Sequence, residues 1–300
     1  MKSLISFHLT DCNRMNFFGN SLNHLPFDTV EEICLENVQN VDNYLLCSII
    51  EKCIKLRKIC LYRLFGPGID SILEALVSQA KNLRNIELRI SGTIVKEIEN
   101  LPKFLSNMSQ LRSLEKLDFI NAGGFINDEF LEIVAKNCVQ LTHLNIAGKN
   151  SVTDKGICNI SKLKKLLFLD MRDIPNIISP PLEKMQNLEV LCCWNCRKIK
   201  EATLFLFLQE APNLRAIDVR ECPSVTTELL HVAENVVENR ESKKILEIYI
   251  ERAKIPDNFF YEKPDLLTIG IGSFEGVKYG FENILKCEKI PQIRIQPNAI

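Results

Sequence analysis

Residues 138–154 read CVQLTHLNIAGKNSVTD. Leu141, Leu144 and Ile146 stand in the spacing L-x-x-L-x-L, with Cys138 three positions ahead and Val152-Thr153-Asp154 behind. In an extended strand, side chains alternate between two faces. Leu144 and Ile146 therefore share the buried face, while His143 and Asn145 share the opposite one. A single copy decides nothing in a chain that is 46% hydrophobic. Repetition does.

The same spacing recurs from one end of the chain to the other. The earlier triples are Leu4/Phe7/Leu9, Val30/Ile33/Leu35, Leu56/Ile59/Leu61, Leu83/Ile86/Leu88 and Leu114/Leu117/Phe119. The later ones are Leu166/Leu169/Met171, Leu188/Leu191/Cys193, Leu214/Ile217/Val219, Ile245/Ile248/Ile250, Leu266/Ile269/Ile271 and Ile290/Ile293/Ile295. Anchors fall 21 to 31 residues apart, and most of the intervals lie within the ~20–29 of a leucine-rich repeat. The cysteines supply a check that apolar triples cannot. Cys53, Cys138 and Cys287 each precede an anchor by three, and Cys12, Cys196 and Cys222 each follow one by eight. Half of the 12 cysteines thus occupy two repeat positions, as structural thiols would.

Between the triples the sequence predicts helices, for example over 70–79, 128–137, 202–210 and 228–238. Asp70, Asn127, Thr153 and Thr226 are placed to cap them, since short polar side chains accept from the free amides of a first turn. Pro180-Pro181 shortens the helix of the seventh unit, whose period is only 22 residues. Each strand–turn–helix–turn unit leaves an apolar face that only a neighbouring unit can cover. The expected fold is α/β: a single leucine-rich-repeat solenoid over 1–300, with parallel strands on a concave face and helices on a convex one. Its repeats are clearest over 53–235 and less regular over 1–52 and 236–300.

Composition narrows the function. With formal net charge −1 and 25% charged residues, neither a general nucleic-acid binder nor a polybasic membrane binder is indicated. No apolar run reaches the ~18 residues of a spanning helix. The opening MKSLISFHLTDC is interrupted by His8 and Asp11 and lacks a small-residue cleavage site, so no secretory signal is expected. Asn107-Met108-Ser109 fits a glycosylation sequon, which is inert in the cytosol.

NCVQLTHLNIAGKNSVTDKGI and EAPNLRAIDVRECPSVTTELL resemble the cysteine-containing repeats of F-box/LRR proteins and their F-box-free relatives. That resemblance implies a horseshoe that binds a protein, in many members the substrate of an SCF-type ubiquitin ligase. Such members carry an F-box that docks the ligase adaptor, and none is recognisable here. Leu25 to Ile33 echoes an F-box opening but coincides with the second repeat.

Chemistry-bearing patterns have plainer readings. Cys193 of the C-x-x-C at 193–196 points into the core in this register, and Cys196 takes the recurrent turn position. No second C-x-x-C or close His pair completes a zinc site. His143 and Cys192 sit two strands apart, about 10 Å, too far for a nucleophilic pair. Gly272 to Gly280 lacks the ending of a phosphate loop. No enzyme, cofactor or metal is expected.

The informative surface is the concave sheet, where residues two, four and six past each anchor face outward. The candidate protein-binding residues are Tyr62, Arg89, Asp118, His143, Asn145, Phe168, Asp170, Arg172, Trp194, Asp218, Arg220 and Tyr249. Arg172, Trp194 and Arg220 share one register on three successive strands, above Asp170 and Asp218. The chain's only tryptophan stands between two arginines, the residue types that dominate binding hot spots. An internal ladder, in which the arginines neutralise the aspartates, is compatible with that reading. The expectation is a cytoplasmic or nuclear interaction protein with a protein ligand on its concave face. An SCF adaptor is a further partner, and neither nucleic acid nor membrane is one. The alternative is a stand-alone or secreted leucine-rich-repeat binder.

Overall fold

Each triple places long apolar side chains on alternate positions, and the polar residues that follow let the chain leave the sheet. In the computed structural model every triple is a strand that begins one or two residues after its anchor. The residues described are 4–11, 25–38, 42–62, 69–78, 82–89, 100–120, 125–148, 151–241, 244–255, 267–270 and 292–294. The elements run β1 (Ser6–Thr10), β2 (Glu32–Glu36), α1 (Asn43–Lys52), β3 (Lys58–Tyr62), α2 (Ile69–Ser78), β4 (Asn85–Arg89) and α3 (Leu101–Gln110). Next come β5 (Lys116–Asp118), α4 (Asp128–Asn137), β6 (His143–Asn145), α5 (Asp154–Ile160), β7 (Phe168–Asp170) and β8 (Val190–Cys192). Last are α6 (Glu201–Glu210), β9 (Ala216–Asp218), α7 (Thr227–Asn239), β10 (Leu246–Tyr249), β11 (Leu267–Gly270) and β12 (Gln292–Arg294).

The chain forms two compact units. The first holds residues 1–125, 136–140 and 286–300; the second holds 126–135 and 141–285. In the first, parallel strands pair in the order β5-β4-β3-β2-β1-β12. Its core row is Phe7, Ile33, Ile59, Ile86 and Leu117 in strict register. Leu25 to Ile33 belongs to this stack: Phe27 meets Phe7 edge-on at 5.6 Å, and Thr29 Oγ1 donates to the Leu4 carbonyl at 2.7 Å. In the second unit the order is β6-β7-β8-β9-β10-β11, with Leu144, Leu169, Leu191, Ile217, Ile248 and Ile269 in one row. Parallel neighbours need a crossover; α-helices provide it for most of the described pairs, and a 3-10 turn stands between β1 and β2 and between β7 and β8. From Leu4 to Leu214 the described anchors are buried, Leu56, Leu141 and Leu188 completely, as are Leu144, Leu191 and Ile217 of the core row, whereas the anchor Ile245 is exposed. Truncating such a buried leucine to alanine costs about 2–5 kcal/mol.

The helix boundaries follow their caps. Thr153 accepts from the Lys155 amide, Thr226 from that of Glu228, and Asn127 from that of Phe130. Asp70 departs from the expectation: α2 begins at Ile69, so Asp70 sits in the first turn, where its charge still favours the free amides. After Pro180-Pro181 the seventh unit has one 3-10 turn, Leu182–Lys184, in place of an α-helix. Gly272 to Gly280 lies outside the described residues.

Three further rows hold the repeat. At the eighth position past the anchor, Cys196 Sγ donates to the Met171 carbonyl at 3.1 Å and Cys222 Sγ to that of Cys193 at 3.2 Å. Three before the anchor, Cys138 Sγ donates to the Leu111 carbonyl at 3.4 Å. At the seventh position the backbone is left-handed: Asp11, Asn37, Asp173, Asn195, Glu221 and Arg252 have φ of 51° to 60°, and Gly148 has 126°. Six of these amides donate along their unit, Asp11 to Glu36 and Asn37 to Tyr62 in the first, Gly148 to Arg172, Asp173 to Trp194, Asn195 to Arg220 and Glu221 to Glu251 in the second. This ladder carries the pairing one turn beyond the strands.

Candidate functional site

Strands β7, β8 and β9 pair with Phe168, Val190 and Ala216 in one row and Asp170, Cys192 and Asp218 in the next. These rows face away from the leucine core, and both are buried. Phe168, Val190, Cys192 and Ala216 pack into an apolar cluster of their own. His143 stacks on Phe168, with ring centroids 5.8 Å apart.

The acidic row is occupied by its own arginines. Arg172 Nε donates to both oxygens of Asp170 at 2.8 and 2.9 Å, and its Nη2 lies 2.6 Å from Oδ2. Arg220 repeats this on Asp218, with Nε 2.9 Å from Oδ1 and Nη2 2.8 Å from Oδ2. Paired forks of this kind are strong because both hydrogen bonds are charge-assisted. Burial pushes the Asp170 carboxyl above its ordinary pKa, and the Arg172 guanidinium opposes that push. Burial works against the charge of Arg172, yet Asp170 holds it above the ordinary arginine value. For Arg220 the hydrogen bond to Asp218 leads in the same direction. The ladder that the sequence admitted is present, one aspartate to each arginine.

The fourth position past the anchor has a role that strand alternation does not predict. Its side-chain oxygen accepts the main-chain N–H two residues on: Asp118 from Ile120 at 3.2 Å, Asn145 from Ala147 at 3.0 Å, Asp170 from Arg172 at 3.1 Å and Asp218 from Arg220 at 3.2 Å. These Asx turns close β5, β6, β7 and β9. The repeated Asp or Asn at that position was a readable signal for them.

Of the twelve candidates, Asp118, Asn145, Phe168, Asp170 and Asp218 are buried, with Asp118 and Asp218 fully enclosed. Each is held by lateral packing or by the turn it closes. Tyr62 is also buried, its hydroxyl donating to Glu87, and it lies with Asp118 in the first unit. Arg89 ends β4 opposite Tyr62, and its side chain lies outside the described set. The partly accessible residues are His143, Arg172, Trp194, Arg220 and Tyr249, all in the second unit. Arg220 Cζ stands 5.6 Å from the centre of the Trp194 ring, a cation–π contact. The Arg172 side chain keeps 30% of its surface and that of Arg220 13%. The result is one aromatic ring with the Arg220 guanidinium against it, that guanidinium being held on Asp218.

Among the described residues no cluster of three or more His, Cys, Asp or Glu could hold a metal ion, and no helix is long and apolar enough to cross a membrane.

No family model matches the chain. Among solved structures it is similar to the complex of Rad7 and Elc1 in yeast, at 12% identity over 89% of this chain and 80% of that one, with a TM-score of 0.55. It is similar also to an internalin, inlF, of Listeria monocytogenes, at 13% identity over 82% of this chain, with a TM-score of 0.49. The chain spans 66% of that internalin's length. By its repeat, its parallel sheets and the first of these likenesses, the protein is of the leucine-rich-repeat type.

Proposed function

We propose that this protein is a non-enzymatic interaction scaffold that binds a protein partner on its strand face, with Trp194 as the anchor and Arg172, Arg220, His143 and Tyr249 around it. The observation that carries this reading is the sole tryptophan, held half-buried against a guanidinium that is itself fixed on Asp218. Locked side chains lose little entropy on binding, so their contacts convert efficiently into affinity. Asp170 and Asp218 act beneath the surface as positioning residues, and Phe168 and Asn145 do the same for His143 and the turn after β6.

The partner's setting is proposed from the repeat's resemblance to F-box/LRR proteins: substrate recognition for an SCF-type ubiquitin ligase, in the cytoplasm or nucleus. That a yeast protein of this fold stands in a complex with Elc1 supports a protein partner. The ten described cysteines are free thiols, which fits a reducing compartment better than a secreted binder.

The test is a comparison of proteins retained from native cell extract by the wild-type chain and by Trp194→Ala. A specific partner lost with Trp194→Ala supports the reading, and an identical retained set overturns it. Co-purification with the SCF adaptor decides the ligase link separately.

A further inference from the structure

The cysteines at repeat positions eight and minus three are explained by the carbonyls they meet. Cys34 and Cys60 are not. Both occupy the fourth position past an anchor, where Asp118, Asp170 and Asp218 close turns, and neither thiol has that duty. They stand directly opposite each other on adjacent parallel strands, Cys34 on β2 and Cys60 on β3. Neighbouring strands run about 4.8 Å apart, inside the ~4.4–6.8 Å range of Cα separations that a disulfide spans. With Tyr62 the two thiols form a buried cluster on the face opposite the leucine core. Cys60 is fully enclosed, whereas Cys34 keeps 9% of its surface.

The surroundings make the two thiols unequal. The neighbouring Cys60 thiol, against the effect of burial and with help from Lys58, holds Cys34 below the ordinary thiol range. Cys60 is pushed well above it by its Cys34 neighbour and by burial. The Lys58 ammonium lies on the same strand face, 3.8 Å from Glu87 Oε1. Cys34, the more accessible of the pair, is placed to meet an oxidant first, with the enclosed Cys60 packed against it. That is the division of labour between a peroxide-reactive and a resolving cysteine.

We propose that Cys34 and Cys60 are a reversible dithiol site that reacts with hydroperoxides and closes to a disulfide across β2 and β3. The Cys34 thiolate attacks the terminal oxygen of the hydroperoxide. The O–O bond breaks, Cys34 becomes a sulfenic acid, and the departing alkoxide takes a proton to leave as an alcohol, or as water from hydrogen peroxide. The Cys60 sulfur then attacks the Cys34 sulfur. The S–O bond breaks, the S–S bond forms, and hydroxide leaves with the Cys60 proton as water. In sum two thiols are oxidised, one peroxide is reduced, and one water accompanies the alcohol. A small-molecule dithiol reverses the step by exchange and is itself oxidised to a disulfide.

The experiment treats the reduced full-length protein with stoichiometric hydrogen peroxide, blocks the remaining thiols, and identifies linked peptides by mass spectrometry. The expected product is a monomer in which the peptides bearing Cys34 and Cys60 are joined, with the loss of two thiols and recovery of both by dithiothreitol. In Cys60→Ala a dimedone adduct should accumulate on Cys34, and in Cys34→Ala neither the link nor the adduct should form. Oxidation of the half-buried Cys47 or Cys158 while Cys34 and Cys60 stay thiols overturns the proposal, as does linkage only between chains. The wild-type measurement decides the matter even where an alanine variant fails to fold.

Discussion

Asp218 is fully buried, and its carboxylate accepts both the main-chain N–H and the guanidinium of Arg220, the residue two places on. One side chain thereby ends strand β9 and fixes the cation that stands against Trp194. Removing it should be costly for two reasons. The turn loses its cap, worth about 1 kcal/mol, and a mostly buried guanidinium loses its counter-charge, which typically costs about 3–5 kcal/mol. We expect Asp218→Ala to lower the urea-unfolding free energy by about 3–5 kcal/mol. Asp218→Asn keeps the turn acceptor and should lose less. Pairing Asp218→Ala with Arg220→Met should recover part of the loss, because the orphaned charge is gone. Equal losses for Asp218→Ala and Asp218→Asn would show that the turn acceptor contributes nothing.

Trp194→Ala probes binding rather than folding. Its side chain is half-buried at the end of a strand, so the unfolding free energy should fall by about 1 kcal/mol or less, the lost cation–π contact included. Binding of the partner should weaken by about 2 kcal/mol or more, as for a hot-spot aromatic. Calorimetric titration alongside thermal unfolding separates the two effects. Unchanged affinity would remove Trp194 from the binding surface.

How much of this was legible beforehand can be argued residue by residue. The anchors and triples were, because an apolar side chain repeated on every unit has one place to go, and each strand begins within two residues of its anchor. Cys138, Cys196 and Cys222 were legible as structural thiols because they share positions across units. The burial of Asp170 and Asp218 was not. The sequence admitted that Arg172 and Arg220 neutralise them, but alternation shows only which face a residue leaves the strand from, not that the pairing encloses the carboxylates. Nor did alternation reveal that Phe168, Val190, Cys192 and Ala216 would cover one another sideways, which needs three strands in known register. Cys34 and Cys60 were missed for the same reason: they are 26 residues apart in sequence and adjacent only once β2 and β3 are paired.

Gly156 is a second place where one atom decides. A Cβ there would lie 2.4 Å from Asp128 Oδ1 and 2.9 Å from Leu131 Cδ1. The Asp128 carboxylate cannot yield freely. Its Oδ1 accepts the amides of Thr153 and Gly156, and its Oδ2 accepts the Thr153 hydroxyl at 2.6 Å. Gly156→Ala should therefore destabilise the chain by about 1–3 kcal/mol, even though alanine is the better helix former by about 1 kcal/mol. A stability equal to or above wild type in chemical denaturation would mean that α5 shifts at no cost.

The buried thiols make stability depend on alkaline pH. Burial pushes Cys53, Cys138 and Cys222 up to about 12, from an ordinary value of 9.0. A folded pKa above the unfolded one means that the native state holds its proton longer, so stability is intact below pH 9 and declines as pH rises from 9 toward 12. Each such thiol should contribute a loss of about 1.4 kcal/mol per pH unit in that window. Unfolding free energies from urea titrations at pH 8 to 10.5 should fall with the sum of these slopes, and Cys138→Ala should be shallower as well as less stable at pH 8. A flat profile above pH 9 would show that these sulfurs are not as enclosed as their packing implies.

The left-handed row gives the last prediction. Asn195 has φ of 58°, a conformation that costs most L-residues about 1 kcal/mol and that asparagine and glycine tolerate. Its side chain also works: Nδ2 donates to Asp173 Oδ1 at 2.6 Å, and Oδ1 accepts from Arg197 Nε at 2.7 Å. Asn195→Ala gives up both hydrogen bonds and keeps the backbone strain, so a loss of about 1–2 kcal/mol is expected. Asn195→Gly gives up the same bonds but relieves the strain, and should fall between alanine and wild type. Asn195→Val adds a β-branched side chain at positive φ and should be the worst of the three. Because the Asn195 amide also donates to the Arg220 carbonyl, a collapsed turn would displace the Arg220 fork and weaken partner binding together with stability. The order Gly above Ala above Val in unfolding free energy is the check. A different order would mean that the side-chain bonds, and not the left-handed backbone, decide what residue this position accepts.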